Sequence, residues 1–147
     1  YPDVFSDDFE EWCDYVARSE CARMAGDPKL IGYFYIDCPT WVHVRRENQW
    51  KGPLFDPARL ETESGRRELS DLAGRYYKVT RDAIRRYDKN HLILGDRYEA
   101  KAALPEQVWR AALPYVDVLS YQHFATFRSR LKPFPVRVEM LSRLVRR

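Results

Sequence analysis

The sequence predicts an α/β fold, an incomplete (β/α)8 barrel of about three parallel β/α units. Apolar runs of strand length alternate with segments of helical periodicity, in the order helix, strand, helix, strand, helix, strand. Strands joined by helices pair in parallel. A complete barrel needs roughly 250 residues, whereas this chain has 147. A doubly wound sheet has the same local order and is the alternative architecture.

Three segments carry helical signals. Ser6 caps the first, whose opening turn is acidic and therefore suits the positive end of a helix dipole. A long helix is predicted over 65–87, and Pro105 suits the first turn of a third helix. Apolar residues at three- and four-residue steps define the predicted buried face of the first helix: Phe9, Trp12, Cys13, Val16 and Ala17.

Three apolar segments between the helices have strand length. The first, 30–36, is almost unbroken in its apolar character, which predicts a strand buried on both faces as in a parallel sheet. Segments 91–95 and 116–121 are the second and third predicted strands. The loop-like stretch 38–60 is rich in aromatic residues, and loops of that length are uncommon unless they are functional.

Charge divides the chain near residue 125. Residues 126–147 hold 7 basic side chains and 1 acidic one, a net charge of +6, so the other 125 residues carry −3 of the total of +3. We expect a partial domain over 1–125 and a basic tail over 126–147 that is non-native or a truncated continuation. A tail that binds nucleic acid is the alternative, and its binding would weaken steeply with salt.

Several classes of protein are disfavoured by the sequence. No apolar run approaches the roughly 18 residues of a membrane span, and three Cys residues form no even disulfide framework. The sequence has no glycine-rich phosphate loop, no H-E-x-x-H motif and no zinc-site spacing. We therefore expect no metal, no cofactor, no nucleic-acid partner and no membrane. The absence of an initiator Met suggests a piece of a longer protein.

The candidate site residues follow the predicted strands. In both architectures, reactive residues lie just beyond the carboxyl ends of the strands. Aromatic rings, an Arg and carboxylates at such positions suit a sugar site, although each residue alone is also compatible with a turn, an ion pair or loop core. The candidate catalytic and substrate-binding residues are Asp37, Cys38, Trp41, Arg97, Tyr98, Tyr121, Gln122 and His123.

Residues at these positions resemble agarase-like glycoside hydrolases of the (β/α)8 clan that has two catalytic glutamates. In that family the fourth strand reads like G-Y-F-V-D-N-E-x-S-W. Segments 94–98 and 116–121 are similar to the fifth and sixth strands, and the resemblance covers roughly 2–125. The stretch similar to the fourth strand is Gly32-Tyr33-Phe34-Tyr35-Ile36-Asp37-Cys38-Pro39-Thr40-Trp41.

The resemblance implies hydrolysis of O-glycosyl bonds in a polysaccharide by the full-length parent, with departures at both catalytic carboxyls. The acid/base Glu of the family falls on Cys38, and Asp37 is the nearest carboxyl that could replace it. That replacement requires burial against Trp41 and Tyr35 to raise the pKa of Asp37. In the family the nucleophile lies at the end of strand seven. The only candidate for it in this chain is Glu139, which follows the third predicted strand after a short stretch of sequence.

The alternative to a hydrolase is a barrel-derived protein that binds carbohydrate without catalysis. A Cys38–His123 nucleophile pair is a further alternative. We also expect the chain to be marginally stable or to self-associate, because an open section of a barrel leaves unpaired strand edges. A monomer that unfolds sharply at a high temperature would contradict that expectation.

Overall fold

The computed structural model of the chain describes residues 3–42, 56–99 and 104–122. The alternation of helices and strands expected from the sequence is confirmed in these residues. The elements in chain order are α1 (Asp7–Val16), a π-helical turn (Ala17–Cys21), α2 (Ala22–Met24), β1 (Gly32–Asp37), a 3-10 turn (Pro57–Glu61), α3 (Glu63–Tyr87), β2 (Leu92–Glu99), α4 (Glu106–Ala112) and β3 (Ser120–Gln122).

Helix α1 begins where the sequence predicts. The Ser6 side chain accepts a hydrogen bond from the Phe9 amide (3.2 Å), which satisfies one of the free donors of the first turn. Phe9 and Ala17 are buried, but Trp12 and Val16 face solvent, so the predicted apolar face is wrong at these two positions. The helix packs on α3 through a narrower stripe than its apolar residues suggest.

Helix α3 is the central element of the helical layer. The Thr62 hydroxyl accepts a hydrogen bond from the Gly65 amide (3.0 Å) at its start, and the helix ends at Tyr87, as predicted. Its buried face packs against α1 and α4. The main core cluster is built around this face: Val4, Phe9, Trp41, Leu69, Ala73, Tyr76, Tyr77, Val79, Tyr98, Val108 and Ala112.

The three strands form a parallel sheet in the order β1-β2-β3, as the sequence predicts. The prediction that the first strand is buried on both faces is wrong within the described residues. Tyr33 and Tyr35 pack on the core, while Phe34 is 49% exposed and Ile36 is also exposed. Alternate residues of a strand point to opposite faces, and the described helices cover only one face of this sheet.

Strand β2 is longer than predicted, and β3 is shorter. The sequence predicts that the second strand ends at Gly95, but pairing continues to Glu99 because β2 lies between two partners. Asp96, Arg97 and Tyr98 therefore lie within the strand and not in a loop behind it. Tyr121 and Gln122 likewise belong to β3.

Gly95 is required by the backbone of β2. Its φ is +62°, a conformation that L side chains rarely adopt, and an added Cβ would lie 2.8 Å from Cγ1 of Val116. We expect Gly95→Ala to destabilise the protein by about 1–3 kcal/mol. Gly74→Ala is the matched control: in α3, with nothing within 4 Å of the added Cβ, it should stabilise by about 0.5–1 kcal/mol. Denaturant unfolding measures both, and equal effects would contradict this account.

Several predictions fall outside the described residues. These are the aromatic loop over 43–55, His123, Glu139 and the basic tail over 126–147, and the division into a domain over 1–125 and a tail stays a prediction. Within the described ranges, no helix is both long enough and apolar enough to cross a membrane.

Candidate functional site

The predicted site centres on an ion pair between neighbouring strands. Asp37 ends β1 and lies in register with Arg97 of β2. The Arg97 Nε donates to Asp37 Oδ1 at 2.9 Å, and an Arg97 Nη lies 2.8 Å from Asp37 Oδ2. This two-point contact fixes the plane of the Asp37 carboxylate relative to the plane of the Arg97 guanidinium. A guanidinium carries five N–H donors, and within the described residues this pair uses two of them.

An exposed aromatic ring supports this pair. The guanidinium of Arg97 lies over the ring of Phe34, with its carbon 5.8 Å from the ring centroid. Phe34 is not among the predicted site residues, because the sequence predicts a first strand that is buried on both faces. Two-residue alternation with Tyr33 and Tyr35 is the signal that could have revealed it.

Cys38 follows the pair in a strained backbone. Its φ is +48°, and its amide donates to the Arg97 carbonyl at 2.9 Å. The thiol lies 3.5 Å from Asp37 Oδ1 and 3.7 Å from Gln122 Oε1. Through its amide and its thiol, Cys38 therefore contacts residues of all three strands. A residue other than Gly in this conformation costs of order 1–3 kcal/mol and often marks a functional site.

The thiol of Cys38 is not activated. Burial and the neighbouring Asp37 carboxylate both raise its pKa. A nucleophilic cysteine needs the opposite shift, because the thiolate is the reactive form. This environment disfavours the Cys38–His123 nucleophile pair, whose second member lies outside the described residues.

The expected pKa shift of Asp37 is wrong in direction. Its side chain is 55% exposed, and the hydrogen bond from Arg97 lowers its pKa, with a smaller contribution from the Cys38 thiol. Trp41 and Tyr35, whose burial of Asp37 the acid/base role requires, pack instead on Tyr76 and Tyr77. An ionised carboxylate has no proton to donate, so this geometry suits Asp37 to hydrogen bonding and not to acid catalysis.

Two predicted sugar contacts lie in the core. Trp41 is only 2% exposed and stacks on Tyr77, with ring centroids 5.9 Å apart. Tyr98 is also buried, and its hydroxyl bonds to that of Tyr77. Neither ring presents a face to a sugar in this arrangement, because helix α3 packs on the side of the sheet to which both rings point.

Tyr121 and Gln122 lie at the same edge as the pair. Gln122 contacts Cys38, and the exposed ring of Tyr121 lies 5.7 Å from that of Tyr98. The site that the structure assembles from the predicted set therefore consists of Asp37, Cys38, Arg97 and Gln122, with Tyr121 beside them. In the described parts of the chain, no cluster of three or more metal-ligating side chains occurs.

Beneath this edge lies a buried carboxyl that faces the helices. Asp96 accepts hydrogen bonds from the hydroxyls of Tyr76 (3.1 Å) and Tyr77 (2.6 Å). Burial raises the pKa of Asp96 to about 6, although the bonds from Tyr77, Tyr76 and Trp41 partly offset that effect. Asp96 directly precedes Arg97 in β2, but its buried side chain points away from the surface that carries the Asp37–Arg97 pair.

Comparison with known proteins finds matches in fold among solved structures, but none by family model or among curated sequences. No protein-family model matches the chain, and no curated protein matches its sequence. Solved structures match it with probability 1.00. An agarase named AgWH50C and an exo-β-agarase each give a TM-score of 0.66 at 22% identity over 84% of this chain.

In fold, the chain resembles agarases. A third structure, that of BpGH50, gives a TM-score of 0.61 at 21% identity, again over 84% of this chain. The chain spans 22%, 24% and 32% of the lengths of these three proteins. The agarase-like resemblance seen in the strand sequences is thus confirmed at the level of fold, and the α/β architecture is consistent with part of a (β/α)8 barrel.

Proposed function

We propose that this chain is part of an agarase-like glycoside hydrolase and that its strand-end cluster binds a polysaccharide. The observation that carries the proposal is the Asp37–Arg97 pair, held in two-point contact at the carboxyl edge of a sheet with an agarase-like fold. Beside it, Phe34 and Tyr121 are exposed aromatic rings. A fixed carboxylate, a guanidinium with further donors and aromatic faces match the hydroxyls and apolar faces of a sugar.

The role of Asp37 in this proposal is binding. Its lowered pKa keeps it ionised at neutral pH, and Cys38 has a raised pKa. In the described residues the cluster therefore holds one ionised carboxylate, whereas glycoside hydrolysis generally uses a pair of carboxyl groups. Hydrolysis of O-glycosyl bonds belongs, in this proposal, to the natural protein that contains the chain.

Arg97→Ala tests the binding site. With a short agarose-derived oligosaccharide as the ligand, we expect about a tenfold or greater loss of affinity, measured by titration calorimetry. Arg110→Ala is the matched control, since Arg110 also pairs with an acid, Glu106, and lies over an aromatic ring, Trp109. Equal affinity in the two variants, or no binding by the unmodified chain, would overturn the proposal.

The alternative function is carbohydrate binding without catalysis, and Cys38 at the acid/base position favours it. Reducing-end release from agarose by the natural protein discriminates the two. Activity that is absent but appears in Cys38→Glu indicates a decayed hydrolase site. Activity that is present and lost in Arg97→Ala supports the hydrolase. Self-association through the edges of β1 and β3 stays a proposal and would be seen as a mass that rises with concentration in sedimentation.

A further inference from the structure

A second surface, separate from the strand ends, combines exposed aromatic rings with a charged groove. Trp12 is 62% exposed and Tyr15 is 54% exposed on the outer side of α1, with ring centroids 5.7 Å apart and planes inclined by 28°. Single exposed apolar residues are ordinary, but an adjoining pair forms a patch that suggests binding. Neither ring belongs to the buried stripe by which α1 packs on α3.

The groove lies directly beside this pair. It has a volume of about 500 Å³ and is lined by six residues of the first helical segment and α3: Glu10, Glu11, Asp14, Tyr15, Arg18 and Arg86. Tyr15 belongs to both features, so the aromatic pair and the groove are continuous. None of these residues takes part in the Asp37–Arg97 cluster.

Ion pairs fix part of the groove. Asp14 accepts from Arg86 at 2.6 Å and from the Tyr87 hydroxyl at 2.9 Å, and both bonds lower the pKa of Asp14, the Arg86 bond most. Glu10 pairs with Arg75, which also donates to the Val4 carbonyl. The acceptor groups on this wall are therefore held in one orientation before any ligand binds, which lowers the entropic cost of binding.

The remaining charges of the groove cancel. Within the described residues, Glu11 and Arg18 make no ion pair, and they carry opposite charges. A groove without net charge, after its pairs are counted, favours a neutral ligand over a cation or an anion. The planar carboxylate and guanidinium groups each offer two-point hydrogen bonding to adjacent hydroxyls.

We propose that Trp12, Tyr15 and the adjoining groove form a second carbohydrate-binding site. Its ligand is a neutral polysaccharide chain, stacked by its apolar face on the aromatic pair while its hydroxyls bond to Glu11 and Arg18. Such a site holds polymer against the protein without taking part in chemistry at the strand ends. The proposal rests on the proposed function only for its choice of agarose-derived sugar as probe.

Trp12→Ala is the test, with Phe5→Ala as the matched control because Phe5 is 59% exposed near the start of α1 and does not line the groove. Calorimetric titration of the full chain with a short agarose-derived oligosaccharide should show two binding events. We expect Trp12→Ala to weaken one of them by about tenfold or more and Phe5→Ala to change neither. Unfolding midpoints of both variants should match the unmodified chain, because both side chains are exposed.

Arg97→Ala separates the two proposals. If the groove binds sugar, Arg97→Ala leaves the event that Trp12→Ala removes, whatever becomes of the strand-end site. If Trp12→Ala changes no binding event, the groove proposal fails, and the strand-end proposal stands or falls on Arg97→Ala alone. Binding at the groove that weakens steeply with added salt would also overturn the groove proposal, since a neutral ligand releases no counterions. A charged protein partner would give that result.

Discussion

Asp88→Ala is expected to destabilise the protein by about 3–5 kcal/mol, because it removes the acceptor from a buried charged network. Asp88 is 1% exposed just beyond α3. Its Oδ1 accepts from the Asn90 (2.8 Å) and His91 (3.1 Å) amides. Its Oδ2 accepts from the Tyr33 hydroxyl and from His91 Nδ1, both at 2.6 Å. The substitution leaves all of these donors without that acceptor.

Denaturant unfolding measures this effect. Asp82→Ala is the control, because Asp82 lies near the end of α3, the helix that Asp88 follows, and pairs near the surface with Lys78 and Arg81. Such exposed pairs contribute about 0–1 kcal/mol. A loss in Asp88→Ala no greater than the loss in Asp82→Ala would show that the network contributes little.

The same network gives stability a defined pH dependence. His91 Nδ1 faces the Asp88 carboxylate, and His91 Nε2 lies 2.9 Å from the Asp27 carbonyl. Both partners only accept, so the imidazolium, which donates from both ring nitrogens, fits this position better than the neutral ring, which donates from one. The Asp88 hydrogen bond raises the pKa of His91, while burial opposes the shift.

The direction of this dependence follows from linkage. Because the folded pKa of His91 is raised, its contribution is complete below the unfolded value of about 6.5 and is lost as pH rises through the folded pKa. For Asp88, burial opposes ionisation, but bonds from Tyr33, Asn90 and His91 outweigh it and lower the pKa. That contribution is lost as pH falls through the lowered value. His91→Gln should therefore flatten the alkaline limb of the stability curve; an unchanged limb would contradict the assignment.

Asp96→Asn is expected to be more stable than Asp96→Ala at neutral pH, because both substitutions remove the buried charge but only Asn keeps a hydrogen-bond acceptor. Ala removes the oxygens that accept from the hydroxyls of Tyr76 and Tyr77, and each lost hydrogen bond costs about 0.5–1.5 kcal/mol. Asn keeps the shape and a carbonyl acceptor, and it removes the charge whose burial raises the pKa of Asp96 to about 6. A shift from 3.8 to about 6 corresponds to roughly 3 kcal/mol.

The pH dependence distinguishes charge from packing at Asp96. The folded carboxyl binds its proton more tightly than the unfolded one, so its ionisation destabilises the fold above about pH 6. The destabilisation is relieved as pH falls toward the unfolded value, and the Asp96→Asn substitution removes this dependence. We expect Asp96→Asn to be the more stable protein at pH 7 and to lose that advantage near pH 4, as measured by unfolding at both values. A constant difference would contradict the buried charge.

Local patterns predicted most of the fold. The Ser6 cap, the extent of α3, the order of elements and the parallel pairing of strands are confirmed. These features depend on interactions within a few residues or on the short connections that helices provide between strands. The agarase-like fold was also visible in the strand sequences, although identity to the solved structures is only 21–22%.

The site was predicted less completely. Asp37, Cys38, Arg97 and Gln122 meet as expected near the carboxyl edge of the sheet, although Arg97 lies two residues before the end of β2. Trp41 and Tyr98 do not join them. Their residue types suit a sugar site or a core equally, and only the position of α3 decides which of the two they occupy.

By itself, the sequence determined the order of helices and strands, the parallel sheet and the set of polar residues that its edge presents. Tertiary structure decided which side chains are exposed and which are buried or paired. It exposed Phe34 and Trp12, buried Asp96, and paired Asp37 with Arg97 so that the pKa of Asp37 fell. The physical reason is the separation along the sequence of the residues that interact. Caps and periodicity act along the chain, whereas burial and ion pairing depend on neighbours that folding brings together from distant positions.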